Sequence, residues 1–344
     1  MMKNYSILLI LSLLALGTNA FAAAVGNVYP LSKGYQTWES LQKEMQVLSS
    51  KHPDLVTLRV IGFSGTEKLP IHALCIGTEE ARRKVLIIGQ HHGSEVLGVE
   101  TALAWARELA VNYKHSGKIK KILAEFEFTI IPTLNPEGYR VVTSGQYQFK
   151  RKNNQETDGR KGLDWRTDGV DLNRNYPVFW EQGAVVPGSH ENFKGSTPMS
   201  EAEVKASVLL AQENNFELAI FFHSSATGAY SEKIFLPAID SSVPSQKERY
   251  DSLLRFAQAY AKKTRKAFGG GRYEVATGPS SREGNARNYF FHIHYTGAFL
   301  VEIGGINPDG ISVIHPPDKM RKSITGMHVR ALRNQFYRFS RGKL

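Results

Sequence analysis

The chain has 344 residues, 42% hydrophobic and 22% charged, with one cysteine and a formal net charge of +11. Those figures are ordinary for a soluble globular protein of one large α/β domain or two smaller ones, and a lone cysteine excludes an intramolecular disulfide. The basic residues are scattered and no aromatic-interleaved basic motif accompanies them, so the charge argues for attraction to acidic surfaces rather than for nucleic-acid binding.

In chain order, residues 1–22 read as an export leader. Lys3 precedes the apolar run 7–16, and Ala20-Phe21-Ala22 is an A-x-A cleavage signal, so the mature chain is expected to begin near Ala23. The run is too short for a membrane span, and no later stretch reaches that length. No cysteine adjoins the cleavage signal; Cys75, in the apolar stretch "IHALCIG", reads as a buried, inert strand thiol. An exported chain without a disulfide fits a bacterial periplasm or medium. No repeat or Pro/Gly-rich linker divides the remainder, so 23–344 is read as a single domain.

An amphipathic helix is expected over 38–51, then strands at "VTLRVIGF" and "IHALCIGT" and a buried apolar run "KVLIIGQ". A helix opens at Ser94-Glu95 and runs to about 113. "FEFTIIPTLNPEGY" reads as a strand entering an Asn-Pro turn. Ser200 and Glu203, three apart, read as a capping box opening a helix over "SEAEVKASVLLAQENN". "FELAIFFHSS" and "GAFLVEIGG" are two further buried strands, separated by the helical pattern "ERYDSLLRFAQAYAKKTRKAF". "FFHIHY" suits a strand with His292 and His294 on one face, a pair without a partner carboxylate. Strands alternating with helices, and nearly continuous in apolar residues, predict an α/β fold: a mainly parallel, twisted mixed sheet covered by helices on both faces.

His92 follows one buried strand, His223 closes a second and Glu302 lies near the end of a third. Ligands of open α/β sheets bind at those carboxyl ends, so three ionisable groups there point to one site. Glu302, inside "FLVEIGG", is costly to bury unless it is paired or near a metal. His92-x-x-Glu95 is half of a metal-site pattern, although a strand-end histidine and a glutamate answering the helix dipole read equally well alone.

Seven segments in order then carry a resemblance. They are "YQTWESLQ…HPDLVTLRVIGFS", the H-x-x-E segment, "IPTLNPEGY", "GVDLNRNYP", "FKGSTPMSEAE", "FFHSS" and "FLVEIGG". Across about 34–339 the chain resembles the zinc carboxypeptidases of the carboxypeptidase A type, the M14 metallopeptidase family. The resemblance implies one zinc ion per chain, with His92, Glu95 and His223 as its ligands, the His₂Glu set of an open catalytic site. It implies Glu302 as the general base, Asp171 as the carboxylate orienting His92, and Arg151 as the oxyanion-stabilising arginine. Asn173 and Arg174 resemble the pair that grips a substrate's terminal carboxylate. Tyr273 is the candidate for the family's mobile substrate-binding tyrosine. Arg287, counted back from Glu302, falls where relatives set side-chain preference and suggests an acidic terminal residue. With only about a dozen residues between the expected leader and the first family-like helix, no long propeptide is expected.

The resemblance therefore implies a hydrolase acting on peptides or muropeptides with a free C-terminus, the leader predicts export, and a monomer is expected. A deacylase of N-acyl amino acids, of the aspartoacylase type, is the related alternative. A non-catalytic module holding peptide or glycan is the alternative from another class.

Overall fold

Alternation along the strands decides the architecture. In β5 (Phe216–His223) Leu218, Ile220 and Phe222 pack into one apolar cluster while Ala219 and Phe221 pack into another. In β8 (Gly297–Glu302) Phe299 and Val301 separate from Ala298 and Leu300 in the same way. A strand whose side chains are buried on both faces needs helices on both sides, and each such side chain contributes about 1.5–3 kcal/mol when fully buried. The structure is a computed structural model that describes residues 31, 34–225, 230–276, 278–305, 307–308 and 313–342. The expected leader, 1–22, and its cleavage signal lie outside the described residues.

The described strands form one mixed sheet in the order β1 (Val56–Phe63), β2 (Pro70–Ile76), β4 (Phe126–Ile131), β3 (Arg83–Ile88), β5, β8, β6 (Lys233–Phe235), β7 (Glu274–Val275). The four central strands β4, β3, β5 and β8 are mutually parallel. Antiparallel pairing appears between β1 and β2, β2 and β4, and β6 and β8. One face is covered by α1 (Trp38–Lys51), α2 (Val96–Asn112), α3 (Gly117–Glu125), α6 (Pro244–Ala261) and α8 (Asp318–Phe339). The other carries α5 (Ala202–Glu213) and α7 (Ala286–Ile293). The expected α/β sheet with helices on both faces is the fold found. Among the described residues, no helix is long and apolar enough to cross a membrane.

Local expectations needed three corrections. "FFHIHY" is not a strand: α7 runs through His292 and His294 is its C-cap, because Asn285 caps the helix start by accepting from Asn288 N. Its histidines face separate partners, His292 the carbonyl of Ala238 (2.7 Å) and His294 the hydroxyl of Tyr289 (3.0 Å). Ser200 and Glu203 do not form a capping box. Helix α5 starts at Ala202 with Glu201 at the N-cap position, and Ser200 Oγ donates to Glu201 Oε1 instead (2.6 Å). The Asn-Pro turn continues into a helix, α4 (Pro136–Thr143), with Asn135 Oδ1 accepting from Gly138 N and proline at the first position, where its missing N–H costs nothing.

Candidate active site

The sheet register sets the centre of the site. His223 and Glu302 are direct Cα partners on the parallel strands β5 and β8, both at the carboxyl end and both projecting to the face that carries α5 and α7. On the other side of β5, β3 ends at Ile88 and the chain turns through 89–94 before α2 begins. That turn is forced close to its helix: a Cβ at Gly98 would overlap the carbonyl oxygen of Gly89. The close approach delivers His92 and Glu95, at the N-cap position of α2, beside His223.

The three side chains converge. Glu95 Oε1 lies 2.7 Å from His92 Nδ1, Glu95 Oε2 lies 2.8 Å from His223 Nδ1, and the two Nδ1 atoms are 3.2 Å apart. All are buried. Ser224 N donates to Glu95 Oε2 (3.1 Å), steadying the carboxylate. His92 Nε2 donates to Asp171 Oδ1 (3.0 Å), which leaves Nδ1 as a lone pair aimed into the cluster. The Glu95 carboxylate and the Nδ1 atoms of both histidines thus face one point, where a cation would meet the carboxylate and the Nδ1 lone pairs of the neutral rings. Arg151 leans in from the side, with Nη1 3.3 Å from His92 Nδ1 and 3.7 Å from Glu95 Oε1. The donor set therefore fits a divalent ion of the zinc type. It is the one such group of three among the described residues, so His292 and His294 form no second centre.

Asp171 arrives at the head of a 3-10 turn, Leu172–Arg174, and its Oδ1 also accepts from Asn173 N. Burial raises its pKa, but Arg151, then His92 and Arg174, overcome this and hold it well below the usual carboxylate range. It stays an anion. Arg151 binds it through Nη2 (2.7 Å) and Nε (3.1 Å). The lysines on either side turn away, Lys150 to the carbonyl of Asp168 and Lys152 to those of Thr167, Gly188 and His190.

Glu302 is half-buried, with its Oε2 shielded from solvent and without a hydrogen-bond partner. Burial, reinforced by the nearby Glu95 carboxylate, pushes its pKa well above the usual range, against the pull of Arg151, Arg287 and Arg174. Asn173 is buried with Oδ1 accepting from Ala286 N, and its amide lies 3.4 Å from His223 Nε2. Arg174 is on the same turn, with Nε bound to Glu283 Oε2 at 2.9 Å.

Arg287 reaches the same region from α7. Its guanidinium is buried and donates to Leu236 O (3.1 Å), Ser280 Oγ (3.1 Å) and Ser281 Oγ (2.8 Å). No described carboxylate pairs with it, and burial, then Arg174, depress its pKa to about 10. Tyr273 is not in the site. Its ring is packed in the core, 3% exposed, and its hydroxyl bonds His328 Nε2 on α8 (3.1 Å), so it cannot serve as a mobile binding tyrosine. Tyr273 directly precedes strand β7, with its backbone N–H donating to Thr264 O.

Sequence reasoning missed Glu283, which lies in a hydrophilic loop where an acidic residue carries no signal. It also left His91 without a place. That side chain is buried, stacked on His223 with ring centroids 5.4 Å apart, and its Nε2 bonds Tyr176 Oη (3.1 Å). It buttresses the His223 ring.

Comparison with known proteins agrees with this geometry. A family model described as zinc carboxypeptidase matches residues 41–320. Mouse carboxypeptidase A4 is 30% identical over 233 residues, covering 66% of this chain and 53% of that protein. A protein named inactive metallocarboxypeptidase ECM14, from Ajellomyces dermatitidis, is 31% identical over 238 residues, covering 67% and 39%. The chain thus spans about half the length of the curated relatives it matches. Bovine thrombin-activatable fibrinolysis inhibitor, solved with a tick carboxypeptidase inhibitor, shares the fold with a TM-score of 0.71 at 21% identity, over 90% of this chain and 98% of that one.

Proposed function

The chain belongs to the zinc carboxypeptidase family, and on that premise we propose that it is an exported metallocarboxypeptidase. It removes one residue from peptides with a free C-terminus and favours terminal residues with an extra carboxylate, including the diaminopimelate of peptidoglycan stem peptides. The observation that carries the catalytic reading is the convergence of His92, Glu95 and His223, with a half-buried Glu302 nearby whose shielded Oε2 has no hydrogen-bond partner.

A zinc ion held by His92, Glu95 and His223 would supply Lewis acidity and lower the pKa of water. The protein's own groups do the rest. Asp171 fixes the His92 tautomer so that Nδ1 offers its lone pair. Glu302, with Oε2 free of other partners, takes a proton from the attacking water and hands it to the leaving amine. Arg151 brings a guanidinium to the edge of the cluster, where it faces negative charge developing on the scissile carbonyl oxygen. Asn173 and Arg174 hold the terminal carboxylate, a task suited to a fork of N–H donors. The acidic preference rests on Arg287, a buried guanidinium near Glu302 with only neutral oxygens as partners; a substrate carboxylate would supply the missing countercharge.

One relative carries the name of an inactive protein. Against a non-catalytic reading here stands the cluster of His92, Glu95 and His223 with Glu302 present as the register partner of His223. The test uses the zinc-loaded protein with matched peptides ending in Glu, Gln, Leu and Lys, free or amidated, alongside muropeptides, with products read by mass spectrometry. Glu302→Gln should keep zinc and lose about 10²–10⁴-fold in turnover, the usual worth of a positioned base. Cleavage of amidated peptides as fast as free ones would remove the exopeptidase reading, and equal turnover of the Leu and Glu peptides would remove Arg287 from specificity.

A further inference from the structure

Away from the zinc ligands, a hairpin over 264–273 folds against α8 and leaves a groove of about 480 Å³ between them, a size within the range of small-ligand sites. Five cations line it: Lys263, Arg265, Lys266 and Arg272 from the hairpin side and Arg330 from α8. No lining residue is acidic. Lys266 is satisfied by Glu274 (2.6 Å), whereas the other four make no ion pair among the described residues. Glu232, behind the hairpin, is buried and spends its Oε1 on the backbone N–H of Ala267.

The hairpin makes this arrangement costly. Arg265 and Arg272 are bridge partners on antiparallel segments. Lys266 N donates to Gly271 O and Tyr273 N to Thr264 O, so the two arginines form the non-hydrogen-bonded pair, whose side chains lie closest. Like charges directly opposite one another destabilise a strand pair. The turn that joins them uses Gly269, Gly270 and Gly271, all with positive φ, a geometry that draws the two arginines together with no side chain at the tip. Arg265, Arg272, Lys263 and Arg330 are all exposed, so an anion arriving from solvent can reach them, and no carboxylate of the chain is among the lining residues.

We propose that this groove is a binding site for an oligoanion carrying two or more phosphate groups. Arginine forks match phosphate oxygens in pairs, and several guanidiniums around one groove favour several charges on one ligand over a single anion. None of the residues assigned to zinc, base or substrate lines the groove, so occupancy and peptide hydrolysis are separable.

The test is calorimetric titration of the zinc-loaded protein at 150 mM salt with tripolyphosphate, inorganic phosphate and citrate. Tripolyphosphate should bind at least tenfold tighter than either of the others. Arg265→Ala/Arg272→Ala should lose at least tenfold in that affinity while unfolding no lower than the parent in the absence of ligand, since a repulsive pair has been removed. Arg330→Ala, on the exposed face of α8, should lose affinity without touching the hairpin. Lys120→Ala/Lys121→Ala, on exposed positions of α3, removes the same charge and should leave affinity within twofold. Absence of tripolyphosphate binding, an equal loss in the α3 variant, or citrate binding as tightly would overturn the proposal.

Discussion

Arg174 meets a carboxylate of its own chain before it meets a substrate. The Glu283 pair is only partly exposed, with side chains 21% and 26% accessible, so it is worth more than a surface ion pair and must open for a terminal carboxylate to take the fork. Glu283→Gln is accordingly expected to lower KM for free C-terminal peptides several-fold with kcat nearly unchanged. A raised KM would mean instead that Glu283 orients Arg174. A second residue carries a pH signature. Glu203 is fully buried with neither oxygen bonded, and burial, aided by Glu137, pushes its pKa up to about 8 from an ordinary 4.5. It is neutral in the fold, whereas the unfolded chain releases its proton above 4.5. Its contribution to stability is therefore complete below pH 4.5 and is lost as pH rises towards 8. Urea midpoints across that range should decline in the wild type and decline less in Glu203→Gln; parallel profiles would contradict the assignment.

The element that builds the centre is the β3–α2 connection. It works only because Gly89 and Gly98 let the strand end and the first helical turn touch. Gly98→Ala forces them apart. Overpacking of this kind costs about 1–3 kcal/mol, and here it also moves the helix start that carries Glu95. Unfolding in urea should show the loss, and zinc affinity should fall more than in Gly117→Ala, where a Cβ meets nothing. Equal zinc affinity in both variants would uncouple the packing from the site. The same element shows how much was legible in sequence. The apolar run, the stop at His91-His92 and the helix after Glu95 were all readable. That His91 turns inward onto His223 was not, because two adjacent histidines look alike until the neighbouring strand is in place.

Across the molecule, the donors come from separate parts of the chain, His92 and Glu95 from one connection and His223 from the end of β5, 131 residues after His92. An ion that binds the folded arrangement and not the dispersed one stabilises the whole fold, by about 2.7 kcal/mol at a hundredfold excess over Kd. Zinc should therefore raise the unfolding temperature by a few degrees and a chelator should reverse it. Glu95→Gln should abolish the shift. An unchanged unfolding temperature on adding zinc to the wild type would count against the His–Glu–His centre.

The sequence by itself determined the alternating apolar strands, the helices between them and the ionisable residues at three strand ends, because period and burial are local properties of the chain. The resemblance carried by the ordered motifs added the proposed ligand set, the proposed base and Asp171. Tertiary structure decided what lay between motifs. Tyr273 was placed by matching the short stretch "GGRYEVATGPSS", and the fold puts it in the core against His328. His292 and His294 alternate as a strand would, yet Asn285 caps a helix there and the sheet has no room for another strand between β8 and its neighbours. Ser200 had capping-box spacing, but Asn175 and Glu201 claimed its hydroxyl. Glu283 on Arg174, and the opposed arginines of the hairpin, follow from register and from distant segments meeting, which no local pattern encodes.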